Sequence, residues 1–431
     1  MALPPGPSRP RWLQTAEWLP AAGPMLERCQ ARYGDAFTLK IAYEGTWVML
    51  SHPDAVKQVF TGDPKVFHAG EGNHILRSFL GPSSVLVLDE AEHMHTRKLL
   101  LPPFHGERML RYAGVISDIA RAEIERWPRG EPIRLGTRMQ ALTLEVIMRA
   151  IFGVEDSERL AQLRSALRRL LEEGVKPHRM ALVLAIGPDR LPRTRTYRSL
   201  MDPVEAILYD EIARRRKEPD LETRDDILSL LVQARDDEGR PMIDQELRDQ
   251  LMTLLVAGHE TTASALAWAI ERLVRHPEML SRLREEALAG EDEYADAVCK
   301  ETLRIRPVVY LVARRLTKPV EIGGFELPAG VTVTPCIYLV HRRSDVYPEP
   351  KRFRPERFLE QPAGTYTWIP FGGGVRRCIG GSFAVFEMKT VLGVLAAEAE
   401  LRPARPAAER PRRRLITFTP GRRAEVLLGR P

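Results

Sequence analysis

Two stretches of the chain carry residue types able to do chemistry. In Trp368-Ile369-Pro370-Phe371-Gly372-Gly373-Gly374-Val375-Arg376-Arg377-Cys378-Ile379-Gly380-Gly381, a glycine run leads to one cysteine that opens an apolar helix. Glycines let the backbone take φ > 0 and lie close to something flat, and Arg376 places a permanent charge shortly before the sulfur. The free N–H groups of a helix beginning at Ile379 point back toward Cys378 and favour a thiolate, so this cysteine reads as a metal ligand. The second stretch, Ala257-Gly258-His259-Glu260-Thr261-Thr262, sets a small pair before a carboxylate and two hydroxyls. Hydroxyls that bond to backbone carbonyls can open a helix locally and admit water or a diatomic ligand. Competing motifs fail on inspection. A zinc-protease helix built on His259-Glu260 needs a second histidine where Ala263 stands, a dinucleotide fingerprint begun at Gly372 needs glycine at Arg377, and no phosphate loop occurs.

The elements that position these residues are mainly helical. A helix from Asp244 to Arg275, apolar at Leu247, Leu251, Leu254 and Leu255 and stopped by His276-Pro277, would span about 48 Å. One and two turns back from Thr261, Ala257 and Thr253 share its face, with Val256 beside them. Helical patterns also cover Met25–Tyr33, Arg111–Trp127, Leu142–Phe152 and Ser157–Glu172, and Ser51-His52-Pro53-Asp54 starts another. In the helix containing Glu92 to Lys98, His93 and Arg97 share a face and can reach one anionic group, whereas His95 points elsewhere. Alternation at Phe37–Tyr43 and Thr46–Leu50 reads as a hairpin turning at Glu44-Gly45. Pro307–Val312, Glu321–Phe325 and Val331–Pro335 read as further strands with Gly323-Gly324 at a turn, and Ile416–Gly421 as a terminal hairpin. The stretch His68–Leu88 is long and irregular.

Composition narrows the classes. With 431 residues and 44% hydrophobic content the chain can bury a large core. No linker, repeat or composition break divides it, so one domain over 1–431 is expected, with 1–24 as a proline-rich N-terminal extension. The longest apolar runs, Met180–Ile186 and Leu251–Ala257, fall short of the ~18 residues that cross a bilayer, and the N-terminus lacks a secretory or transit pattern, so a cytoplasmic protein without stable membrane insertion is expected. Cys29, Cys299, Cys336 and Cys378 show no paired spacing, against a disulfide framework or zinc knuckle. The net charge of +6 is modest. Arginines crowd the C-terminus at Arg402, Arg410, Arg412, Arg413, Arg414, Arg422 and Arg423, but without interleaved aromatics. Nucleic-acid binding is not expected, and a solvated face or an acidic-protein docking surface is.

Phe371, Gly374, Arg376, Cys378 and Gly380 match Phe-x-x-Gly-x-Arg-x-Cys-x-Gly, and the loop resembles the haem-ligand loop of the cytochrome P450 superfamily. The resemblance extends from about residue 30 onward, with motifs in family order. It implies a mainly α fold with a small β region, a triangular helical prism holding haem between the long central helix and the helix after the cysteine loop. It makes Cys378 the axial thiolate of one haem b per chain. His93, Arg97, Arg314 and Arg376 become propionate ligands, with Arg315 an alternative to Arg314. Ala257 and Gly258 belong to the oxygen-binding groove, where Glu260 and Thr261 deliver protons to dioxygen. Glu301 and Arg304, read with Phe353-Arg354-Pro355-Glu356-Arg357-Phe358, become a buried structural triad of Glu301, Arg304 and Arg357 behind the loop. Pocket residues follow as Phe79, Leu80, Val85, Leu86, Thr253, Val256, Tyr310, Val312, Thr417 and Phe418, the last two at a hairpin tip, and Pro177–Pro192 as a lid.

A thiolate ligand favours O–O cleavage, so the resemblance implies a monooxygenase that inserts one atom of O2 into a C–H bond. The apolar pocket candidates point to a lipophilic substrate of fatty-acid, terpenoid or steroid class. Without a flavin or nicotinamide motif, electrons are expected from a ferredoxin or flavodoxin with its reductase, docking near Arg376, Arg377 and Lys389, on a monomeric enzyme. A haem-thiolate peroxygenase or isomerase without a redox partner, and a non-catalytic haem sensor, are the alternatives. The acid–alcohol pair weighs against both.

Overall fold

The computed structural model of the chain describes residues 3–429 apart from 105–106, 154–157, 175, 177–178, 180–185 and 415. Most of the apolar core of the expected lid, Met180 to Ala185, therefore lies outside the described residues. The chain forms two compact units, one of Met1–His68, Leu110–Thr143 and Glu260–Pro431, the other of Ala69–Met109 and Leu144–His259.

In the first unit the opening helix is longer than its sequence pattern suggests, running Arg11–Tyr33 instead of starting at Met25. Trp18, Ala22, Met25, Leu26 and Cys29 recur at helical spacing and are all buried, so burial holds the helix together across a kink at Ala21, between Pro20 and Pro24. Residues 11–24 thus belong to this packed helix and not to an extension. Before the helix, the Pro4 and Pro5 carbonyls accept from Thr38 Oγ1 (2.7 Å) and Thr38 N–H (2.9 Å).

A five-stranded sheet follows, in the order Ala36–Ile41, Gly45–Leu50, Thr332–Pro335, Arg314–Leu316, Phe67–His68. Its first two strands are the expected hairpin, and only the Gly45–Leu50 pairing with Thr332–Pro335 is parallel. A separate hairpin joins Val320–Ile322 to Phe325–Leu327 through Gly323 and Gly324, both at positive φ. Pro307–Val312 does not become the expected strand. Its polar groups go to separate partners: Val308 O accepts from Phe418 N, Tyr310 O from Tyr338 N, and Val312 N donates to Pro335 O.

The C-terminal hairpin pairs Pro411–Arg414 with Thr417–Pro420, Arg414 opposite Thr417 and Arg413 opposite Phe418. Thr417 and Phe418 are therefore strand residues and not the tip. Phe418 stacks on Tyr310 at 4.2 Å between ring centroids, and both belong to a core cluster with Trp18, Trp47 and Tyr338.

The second unit contains the helices Glu90–Leu100 and Arg195–Arg215. The stretch 69–88 forms only short turns of helix, Ala69–Gly72, His74–Leu76 and Arg77–Leu80, as its irregular composition suggests. The central helix spans Asp244–Leu273, 30 residues, and stays helical through Ala257–Thr262 instead of opening there. Its residues up to His259 belong to the second unit and those from Glu260 to the first. Among the described residues no helix is long and apolar enough to cross a membrane.

Candidate functional site

Cys378 is the one exposed cysteine of four. Burial pushes the thiol of Cys336 up to about 12 and raises those of Cys29 and Cys299, which makes them poor thiolates and leaves Cys378 as the available ligand. The following helix is Gly381–Glu398, capped by Gly380, so it begins two residues later than Ile379. The loop ahead of it is pinned by its own backbone: Gly372 N–H donates to Ile369 O (3.0 Å) and Cys378 N–H to Phe371 O (2.9 Å).

The glycines of this loop answer to a specific neighbour. Gly372 and Gly374 sit at φ 68° and 63°, where side chains are strained. A Cβ on Gly373 would come within 2.3 Å of the Phe60 ring, and one on Gly374 within 1.9 Å of the Phe60 carbonyl oxygen. Part of the flat surface that the glycines were expected to approach is therefore Phe60, at the end of the helix Pro53–Thr61. A Cβ on Gly372 would lie 3.9 Å from Val312 Cγ1, which sets that pocket candidate beside the cysteine loop. Phe371 packs under Gly381, where a Cβ would meet its ring at 3.2 Å.

Behind the loop the expected triad is assembled and buried. Arg304 donates from Nε and Nη2 to the two carboxylate oxygens of Glu301 (2.6 and 2.8 Å), a bidentate pair in which both side chains are fully buried. Glu301 also accepts the Arg354 N–H at 2.9 Å. Arg357 Nε lies 3.2 Å from Glu301 Oε2 as an ion pair without hydrogen-bond geometry, so its contribution is mainly charge. The remaining Arg304 donors satisfy the carbonyls of His341, Pro350 and Arg352.

On the central helix Ala257 is exposed and Val256, Gly258 and Thr261 are half-buried, while Leu255, His259 and Thr262 are buried. Of the residues that periodicity sets on one face, Ala257 is exposed, Thr261 half-buried and Thr253 buried. Gly258 packs on Ile147, whose Cδ1 a Cβ would meet at 3.2 Å. Glu260 is held by two side chains with no counterpart in the sequence argument: Gln140 Nε2 donates to Oε2 at 2.8 Å, and Arg414 Nη1 stands 3.2 Å from Oε1.

In the second unit His93 is buried, Arg97 half-buried and His95 exposed, the division expected from their spacing on the helix Glu90–Leu100. Leu80 and Val85 are buried, Phe79 and Leu86 half-buried, and Phe79 meets Tyr197 edge-on at 5.8 Å. Their loop is tied to the central helix. Asp249 accepts the Ser83 N–H (2.8 Å), Gln250 accepts the Val85 N–H (3.1 Å), and Ser84 Oγ pairs with Thr253 Oγ1 (2.6 Å). The Thr253 hydroxyl also donates to Asp249 O at 2.7 Å, so it serves the loop's position. Arg314 is buried in its strand, with Nη1 on the Ala313 carbonyl at 2.8 Å, while Arg315 is half-buried.

Two C-terminal arginines depart from the expected solvated face. Arg413 lies over the Trp18 ring at 5.7 Å, and Arg414 turns to Glu260. Lys389, expected at a docking surface, is ion-paired with Asp292 at 2.6 Å, whereas Arg377 is exposed. The tight arginine spacing was the only sequence signal for Arg413 and Arg414, and it carries no direction.

Comparison with known proteins places these features in one setting. The family model described as Cytochrome P450 matches residues 4–417. Cytochrome P450 135B1 of Mycobacterium tuberculosis is 46% identical over 99% of this chain and 91% of its own length. Cytochrome P450 135A1 of the same species is 41% identical over 99% and 95%. Among solved structures, a retinoic acid-bound cyanobacterial CYP120A1 superposes with a TM-score of 0.86 at 26% identity, covering 99% of both chains. A cytochrome P450DA heme domain superposes at 0.85 and 24% identity, over 100% of this chain and 98% of that one.

Proposed function

The chain belongs to the cytochrome P450 family of haem-thiolate monooxygenases, and on that premise we propose that it oxidises a lipophilic small molecule with electrons from a separate ferredoxin or flavodoxin. The family cofactor is haem, one per chain. The residues present fit it: the one exposed thiol stands beyond a glycine loop whose backbone requires φ > 0. Bound haem supplies dioxygen activation, to which a thiolate lends electron density that favours O–O cleavage.

The chain supplies position, charge and protons. Cys378 is the thiolate, and Phe371, Gly374 and Gly380 shape its loop. His93, Arg97, Arg314 and Arg376 neutralise the propionates, with Arg314 preferred to Arg315 as the more buried of the two. Ala257 and Gly258 keep the helix face low, Thr261 donates a hydrogen bond on that face, and Glu260 feeds protons to it. Glu301, Arg304 and Arg357 act as scaffold.

Substrate contacts are assigned to Phe79, Leu80, Val85, Leu86, Val256 and Val312, an apolar set that matches the retinoic acid carried by the CYP120A1 relative. Tyr310 and Phe418, expected in the pocket, pack in the core cluster and Thr417 is buried in its strand, so the three are left out of that set. We assign the redox partner to the exposed Arg377 side of the cysteine loop, and the active form to a cytoplasmic, single-domain monomer.

The observation that carries this reading is the exposed Cys378 beyond its glycine loop, and the test follows from it. Reduced, carbon monoxide-bound protein is expected to show the red-shifted Soret band of thiolate ligation, lost in Cys378→Ala, with product formed only when O2 and reduced ferredoxin or flavodoxin are both supplied. Retention of the band by Cys378→Ala, or equal turnover with peroxide alone, would refute it.

A further inference from the structure

His341 lies in a short turn after the helix Ile337–Val340, far from Cys378 in sequence, and no motif points to it. Its side chain is completely buried. We propose that His341 is a positioning residue for the cysteine loop, transmitting the fixed geometry of the Glu301–Arg304 pair to Ile369 at the start of that loop. The proposal rests on Cys378 being the haem ligand.

Both ring nitrogens are committed. Nδ1 lies 3.2 Å from the Arg304 carbonyl oxygen, which can only accept, so Nδ1 carries the proton. Nε2 lies 2.8 Å from the Ile369 backbone nitrogen, which can only donate, so Nε2 must hold a free lone pair. A protonated ring could not make the second bond. The surroundings enforce the neutral form, since burial, and then the charges of Arg304 and Arg342, push His341 down to about 3. The link to the triad is reciprocal, because Arg304 Nη1 donates to the His341 carbonyl at 2.8 Å.

From Ile369 the restraint runs along the loop. The Ile369 carbonyl accepts from Gly372 N–H, and the Phe371 carbonyl accepts from Cys378 N–H. Ile369 is buried in the apolar cluster containing Phe60, Val333 and Ile337, so its N–H has no access to water if the imidazole is lost. Two further bonds hold the same segment: Trp368 Nε1 to the Lys300 carbonyl (3.1 Å) and Tyr347 Oη to the Thr367 carbonyl (3.0 Å). These end on side-chain and carbonyl groups ahead of the loop. His341 alone among them grips the backbone N–H from which the turn to Cys378 begins.

The test compares two substitutions in the full haem-loaded chain. In His341→Gln an acceptor can occupy the Nε2 position. In His341→Asn the amide can still donate to Arg304, but its oxygen is too short to reach Ile369. The Gln variant is expected to keep the red-shifted carbon monoxide band, while the Asn variant moves a substantial share of it to the blue-shifted band of a neutral thiol ligand. Trp368→Phe, which removes a neighbouring anchor, is expected to lower stability without moving the band.

Hydrogen exchange supplies a second readout. The wild-type Ile369 amide is expected to exchange only with global unfolding, and about tenfold faster in the Asn variant, the effect of one lost hydrogen bond. Identical spectra for the Asn and Gln variants would overturn the proposal. So would rapid exchange at Ile369 in the wild type, a measurement that decides even if neither variant folds. Failure of the Cys378 reading would show separately, as a wild-type protein lacking the red-shifted band.

Discussion

Two glutamate–arginine pairs of the first unit share their chemistry and differ in how they are held. Glu301 and Arg304 are both 0% exposed, and each Glu301 oxygen accepts from an Arg304 nitrogen while Oε1 also takes a backbone N–H. Glu260 and Arg414 are 14% and 17% exposed at the side chain, and Glu260 Oε1 meets Arg414 by proximity without hydrogen-bond geometry. The first pair has no freedom left. The second keeps one oxygen without a fixed hydrogen, on an arginine beside the hairpin turn, which would suit the proton exchange proposed for Glu260. Saturated burial fits a carboxylate to a scaffold, and incomplete pairing fits the proton role proposed for Glu260.

The largest effect is expected at the scaffold pair. Glu301→Gln leaves Arg304 buried without a counter-charge and should cost about 3–5 kcal/mol in denaturant unfolding, enough to prevent stable haem incorporation. A loss no greater than that of a surface ion pair would erase the distinction between the two sites.

A third carboxylate tests the same logic without an arginine. Glu387 is buried in the helix after the cysteine loop, its Oε1 has no hydrogen-bond partner among the described residues, and burial pushes its carboxyl well above the usual carboxylate range. An acid raised on folding is ionised more readily by the unfolded chain, so stability should fall as pH rises above 4.5, toward the raised folded value. Glu387→Gln should flatten that decline, measured by denaturant unfolding at about pH 5 and about pH 8. An unchanged slope would mean that Glu387 is ionised and paired after all.

The smallest stability effect is expected at the Glu260–Arg414 pair. Glu260→Gln and Arg414→Gln should each cost less stability than Glu301→Gln, because the pair is less buried and less fully hydrogen-bonded. Glu260→Gln should slow product formation by about 10²-fold, and Arg414→Gln should shift the pH dependence of turnover with less loss of rate. A Glu260 variant with normal turnover would sharpen the contrast in the other direction, leaving Thr261 as the sole residue serving the proton path.

Much of this was legible before folding. The cysteine loop is contiguous, so its residue types and spacing are also its geometry, and the Glu301–Arg304 pair is one helical turn. The split between His93 and His95 follows from helical periodicity alone. Less visible was why Gly373 and Gly374 are glycines, because Phe60 comes from a helix near the other end of the chain. The opening helix was underestimated for a similar reason: its prolines argue for irregular chain, and only burial of Trp18 and its neighbours outweighs them. Tyr310 and Phe418 looked like pocket residues because apolar character does not say which apolar surface a ring will meet.

The amino-acid sequence by itself determined the family and named the candidate ligand cysteine and the small residues of the central helix, since each depends on spacing along a few turns of chain. Tertiary structure decided which partners constrain them. Arg414 and Gln140 reach Glu260 from distant segments, and His341 joins the Glu301–Arg304 pair to Ile369. Such pairings are set by which donors and acceptors folding removes from water together, and residues so far apart in the chain leave no periodic signal from which to read them.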